Sequence, residues 1–221
     1  MTSKRFAIAK KVKEEITAGK LPPGSRLTEK VLCELTGSSR SSVREALQVL
    51  AREGYVVNEP NRGVRVATLD AQEAADIYQV RSVLEGLAAK NFINLATVEQ
   101  RENLDRSLQA LAEAVRDGDV AGQLGAIEGF YAALLDGCYN RVLKQSLEVL
   151  HAKIARLRAT SILSPGRISN TLREMSRIGD AIRANDEAEA WLACVEHMQQ
   201  TSAVAIRMIS YLADQQNSAK H

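Results

Sequence analysis

The chain has 221 residues, 45% of them hydrophobic and 25% charged, which suits one large or two ordinary soluble domains. Aromatic residues make up only 4%, while Ala and Leu are plentiful, which favours helices over a β-sandwich. No apolar run is as long as a membrane span, and Met1 to Arg5 lack the apolar stretch of a signal peptide, so a cytoplasmic protein is expected.

Cys33, Cys138 and Cys194 lie far apart with no CxxC pair. This argues against a disulfide framework and a Cys-based zinc site, and predicts buried thiols in a reducing cytoplasm. The formal charge of +2 hides an asymmetry: residues 1–67 carry 13 Lys and Arg against 7 Asp and Glu, and the remainder is acidic. A basic first third on an acidic body points to a nucleic-acid-reading head on a body that does not touch nucleic acid.

Along the chain, Phe6, Ile8, Ala9, Val12 and Ile16 form one apolar helical stripe, so a helix is expected from Phe6 to Ala18, closed by Gly19. Leu21-Pro22-Pro23-Gly24 reads as a turn. Thr28 caps a short second helix through Leu35. Gly37 breaks the chain, and Ser38 or Ser39 caps a third helix, Arg40 to Arg52, with Val43, Ala46, Leu47 and Leu50 facing inward. Gly54 suits that helix's exit. Tyr55-Val56-Val57 and Val64-Arg65-Val66, either side of a turn at 59–63, read as a hairpin. Three helices followed by a hairpin make a winged helix-turn-helix.

From Asp70 onward the pattern is helical, with capping-box pairs at Asp70/Glu73, Thr97/Gln100 and Asp186/Glu189. Helices are expected at about 71–94, 98–117, 120–137, 141–161, 168–184 and 187–214, forming an antiparallel bundle. The predicted fold is mostly α: a winged helix-turn-helix domain at 1–69, then a bundle of about six helices at 70–221.

A recognition helix needs basic and small polar side chains in its first turn, where it meets the major groove. Ser39-Arg40-Ser41-Ser42-Val43-Arg44 supplies them, with Arg40 and Arg44 one turn apart on the same face. An Arg fork holds guanine edges or clamps a phosphate. For an isolated Arg pair, the plainer alternative is an ion pair on an exposed helix.

The runs Leu21-Pro22-Pro23-Gly24-Ser25-Arg26-Leu27-Thr28-Glu29, Gly37 to Leu47 and Pro60-Asn61-Arg62-Gly63, together with Leu50 and Gly54, closely resemble the head domain of the GntR family of bacterial regulators. The helical remainder resembles that family's FadR-type branch with its FCD effector domain, whose opening pattern matches Arg81, Leu84 and Glu85. The resemblance implies that Arg40 and Arg44 contact bases and phosphates, with Ser41 and Ser42 at the DNA. Lys30 stands where the family often has a backbone-touching Arg, and it keeps the charge without the fork. Gly63 lets the wing tip approach the minor groove beside Arg62. The resemblance also implies a homodimer on a palindromic operator.

Many FCD domains hold a divalent metal with an Asp, a His four residues later, and two further His on the last two helices. In this chain those positions fall at Ile127, Tyr131, Met175 and His197. Only one His survives, so no metal cofactor is expected through the family's ligands. The resemblance implies instead a small carboxylate effector in a pocket of Arg81, Ile127, Tyr131, Met175 and His197. Arg81 would pair with the acid, while Tyr131 and His197 would offer hydrogen bonds. Plainer readings stand beside this one: Arg81 bridging to Glu85 one turn along, His197 a satisfied core residue, and a closed-core regulator that takes no effector. The sequence has no GxSxG, P-loop or HExxH, and an enzyme is not expected.

Overall fold

The computed structural model describes residues 4–17, 20–60 and 63–218. The chain divides into two compact units, one made of residues 1–70 with 151–159, the other of residues 71–150 with 160–221.

In the first unit, α1 (Lys4–Thr17), α2 (Glu29–Thr36) and α3 (Arg40–Arg52) precede a hairpin of β1 (Val56–Glu59) and β2 (Gly63–Val66). The apolar stripe of α1 is buried at Ile8, Val12 and Ile16, against Leu32 of α2 and Val43 and Leu50 of α3. Thr28 caps α2 by accepting from the Val31 N–H, and Gly37 ends it with φ +63°, a conformation that suits glycine. The strands pair antiparallel with Val56 opposite Val66 and Glu59 opposite Gly63, so both run further towards the turn than the β-branched residues alone predict. Backbone bonds from Leu27 N–H to Val64 O (2.8 Å) and from Val66 N–H to Ser25 O (2.9 Å) lay the 25–27 segment alongside β2. Gly19 and Arg62 lie outside the described residues.

The second unit contains α4 (Ala71–Leu95), α5 (Val98–Asp117), α6 (Val120–Gly137), part of α7 (Arg141–Ser161), α8 (Arg167–Arg183) and α9 (Glu187–Ser218). Here α4 packs along α9, α5 along α6, and α8 against both α9 and α5. Each short connection reverses the chain, as an antiparallel bundle requires. Thr97 and Gln100 form the reciprocal capping box at the start of α5. Gly86 of α4 allows close approach to α9: a Cβ there would lie 2.7 Å from the Trp191 ring. The core includes Phe92, Leu104, Leu111, Phe130, Leu134 and Ile178. One expectation is corrected: Cys138 and Cys194 are buried, but Cys33 is only half-buried, because it sits beside the inward Leu32 at the edge of the α2 apolar face. No described helix is long and apolar enough to cross a membrane.

Candidate functional site

The first candidate site is the outer face of α3. Its inward stripe, Val43, Ala46, Leu47 and Leu50, is fixed in the core, so Arg40, Ser41 and Arg44 are held outward. The Ser39 hydroxyl caps the helix by accepting from the Ser42 N–H, and it also lies 3.1 Å from Ser41 Oγ and 3.0 Å from Ser42 Oγ. Three hydroxyls are thus gathered at the helix start, where the N–H groups favour an anion such as a phosphate.

Arg44 is not idle. Its guanidinium grips Glu29 of α2 in a two-pronged ion pair, Nε to Oε1 and Nη2 to Oε2, the second bond at 3.2 Å. The Arg44 hydrogen bond holds the Glu29 carboxyl below its usual range, and the same bond raises the Arg44 pKa. The pair occupies the Arg44 fork on the exposed side of α3. Arg40 and Lys30 are exposed and join no ion pair among the described residues.

At the wing, Gly63 has φ +77°, a left-handed backbone that a side chain would strain. Arg26, which the site reading from sequence passed over, comes to this glycine: its Nε and Nη2 would lie 3.8 Å from a Cβ built there. The approach arises because Arg26 bridges to Arg65 of β2. Arg65 is itself committed to Gly24 O at 2.7 Å and to Glu59 at 3.3 Å.

The second candidate site is the centre of the helical bundle. Arg81, Ile127, Tyr131, Met175 and His197 are all buried there. Arg81 is 1% exposed and donates from Nε to Glu85 Oε1 at 2.8 Å. Its Nη2 lies 2.5 Å from the same oxygen but off the hydrogen-bonding axis. The guanidinium sits 5.4 Å from the ring centres of both Tyr78 and Tyr131. Burial works against its charge, but Glu85 and the two tyrosines outweigh burial and raise its pKa. In this structure, then, Arg81 bridges to Glu85.

A hydrogen-bonded chain extends from Tyr131. Its hydroxyl lies 3.0 Å from His197 Nε2, and His197 Nδ1 lies 2.6 Å from Glu174 Oε2. Arg167 then donates to both Glu174 oxygens at 2.8 and 2.9 Å, and to Thr201 Oγ1 at 2.8 Å. Burial pushes the Glu174 carboxyl up, but the bonds from His197 and Arg167 prevail and lower it overall. The family resemblance touched Glu174 only as the neighbour of Met175, and Arg167 and Thr201 had no part in the sequence reading; the partners of Glu174 lie on α9 and at the start of α8.

These residues do not fit a divalent metal at the family's position. Ile127 offers no donor, Met175 only a soft thioether, and both ring nitrogens of His197 already have hydrogen-bond partners. Among the described residues no group of three or more His, Cys, Asp and Glu is placed to hold one.

Comparison with known proteins agrees with this architecture. Residues 5–66 match the family described as "Bacterial regulatory proteins, gntR family", and residues 76–200 match the "FCD domain". A relative from Bacillus subtilis, "Uncharacterized HTH-type transcriptional regulator YdhC", is 29% identical over 81% of this chain and 80% of its own length. Another, from Paenarthrobacter nicotinovorans, named "Probable D-xylose utilization operon transcriptional repressor", is 26% identical over 89% of each. The solved structure of E. coli McbR/YncC superposes with a TM-score of 0.80 at 23% identity, covering 94% of this chain and 99% of that one, and so shares the fold. These relatives are transcriptional regulators and not enzymes. The chain belongs to the GntR family of bacterial transcriptional regulators, in the branch that carries an FCD domain.

Proposed function

We propose that the protein is a ligand-responsive repressor that reads a palindromic operator as a homodimer in the cytoplasm and releases it on binding a small organic acid. The DNA-binding domain is 1–69 and the effector and dimerisation domain 70–221. The observation that carries the DNA-reading part is the outer face of α3: Arg40, Ser41 and Arg44 project from a helix whose opposite face is locked in the core. Base edges and phosphates are the partners for such a face. Lys30 would add a phosphate contact, and Gly63 with Arg26 and Arg62 would bring the wing to the minor groove.

The organic-acid part draws on the family and on the polar chain centred on Tyr131 and His197. A ligand that prefers one arrangement of the dimer would shift its DNA affinity. A second reading, a regulator with a closed core and no effector, is favoured by one observation: Arg81 is already neutralised by Glu85 in a fully buried pair.

The test is fluorescence anisotropy of the full-length protein on DNA from upstream of its own gene, at fixed salt, with a panel of small carboxylates. The proposal expects specific binding that at least one acid weakens about tenfold or more. Specific binding indifferent to every acid would leave the closed-core reading, and an absence of specific binding would refute the DNA-reading assignment.

A further inference from the structure

At about 100° per residue, buried Val43, Ala46, Leu47 and Leu50 of α3 centre on one direction, and Ser41, Glu45, Gln48 and Arg52 all lie within about 30° of the opposite one. These four are exposed and form one straight row along the outer side of the helix. Arg44 stands about 70° to one side of that outward direction, where it meets Glu29 of α2.

Gln48 differs from the rest of the row. It is uncharged, and it carries a donor and an acceptor side by side at the end of a long stem. Its amide has no hydrogen-bond partner among the described residues. The amides of Gln72, Gln100 and Gln123, by contrast, are engaged by Asp76 at 2.8 Å, by Asp136 at 2.9 Å and by Ala114 O at 3.1 Å. Arg5 and Phe6 of α1 share a shallow groove with Gln48, and neither bonds to its amide.

We propose that Gln48 is a base-reading residue that takes the edge of an adenine in the major groove. Its Nε2 donates to adenine N7, and its Oε1 accepts from the N6 amino group. A phosphate would use only the donor and would gain no charge attraction from a neutral amide, so the base edge is the better partner. Four residues of helix advance about 6 Å, close to two base-pair steps of about 3.4 Å each. Gln48 therefore reads a pair about two steps beyond the one nearest Arg44. The inference rests on the DNA-reading assignment of α3 proposed above and adds a specificity-determining residue to it.

The experiment is selection from random duplex DNA by the full-length protein and by its Gln48→Ala and Gln48→Lys variants. It is followed by anisotropy at fixed salt on the parent's selected duplex, with single adenines replaced by 7-deazaadenine, which lacks the N7 acceptor. Both replacements sit on an exposed helical face and suit a helix, so the circular dichroism spectrum should not change. The parent should enrich a motif in which one adenine, with its symmetry mate, becomes indifferent in Gln48→Ala and turns to guanine in Gln48→Lys. Guanine in place of that adenine should weaken the parent about tenfold. The 7-deazaadenine duplex should weaken the parent at least about threefold and leave Gln48→Ala unaffected. A motif that neither replacement alters would overturn the role of Gln48 and leave α3 as the reading helix. An equal loss of affinity by Gln48→Ala on every duplex would make Gln48 a backbone contact and overturn the base reading. A parent that enriches no motif would overturn the DNA-reading assignment and this inference together.

Discussion

Replacing Glu85 with Gln removes one charge from the centre of the helical unit and leaves the shape nearly unchanged. Arg81 and Glu85 have side-chain exposures of 1% and 2%, so water cannot take over the lost partner's role. The two flanking tyrosine rings offer only weak compensation. Breaking a buried pair from one side costs about 3–5 kcal/mol. At about 2–4 °C per kcal/mol for a chain of this size, the melting temperature should fall by on the order of 10 °C. The double replacement Arg81→Met with Glu85→Leu removes both charges and should recover most of that loss. Thermal unfolding followed by far-UV circular dichroism, with urea titration as a check, reads both variants. If Glu85→Gln melts within about 2 °C of the parent, the pair is hydrated. Arg81 would then be free for an effector, and the closed-core reading would lose the observation that favours it.

Further outcomes follow from the same geometry. Tyr131→Phe removes the hydroxyl that meets His197 Nε2 at 3.0 Å in a buried setting, and should cost about 1–3 kcal/mol in urea unfolding of the helical unit. Divalent zinc or a chelator should leave the melting temperature unchanged, since the residues at the family's metal position are Ile127, Met175 and hydrogen-bonded Tyr131 and His197; a chelator-induced loss of several degrees would contradict this. Glu29→Gln frees Arg44 and removes a negative charge near the DNA, so operator affinity should rise a few-fold with a steeper salt dependence, measured by anisotropy across a salt series. Glu174 has its carboxyl lowered in the folded protein, so its pairing stabilises above the ordinary carboxylate range and is lost as pH falls through the lowered value; Glu174→Gln should flatten the acid limb of a pH–stability curve.

Helix α3 was legible because all its signals are local. Gly37, the Ser39 cap and the spacing of Val43, Ala46, Leu47 and Leu50 fall within fourteen residues, and 3.6-residue periodicity alone decides which face turns outward. The bundle was legible for the same reason, and its helix limits lie close to those expected, the largest difference being at the end of α9, which runs to Ser218. What escaped depends on elements brought together from a distance. Glu29 meets Arg44 only because α2 crosses α3, and Arg26 reaches Gly63 only because 25–27 lies along β2. The family resemblance placed Tyr131 and His197 at the pocket position but could not say that Glu174 and Arg167 complete their hydrogen bonds. Arg167 was outside the expected helix, whose first turn begins one residue earlier than predicted and buries that guanidinium.

The central claim, that the outer face of α3 reads DNA, is tested most directly by operator binding of Arg44→Ala beside the parent protein at moderate salt. Arg44 is exposed, so the variant should keep the parent's circular dichroism spectrum and oligomeric mass while specific operator binding is lost. Unchanged specific binding by a folded Arg44→Ala protein would contradict the assignment of α3 as the reading helix.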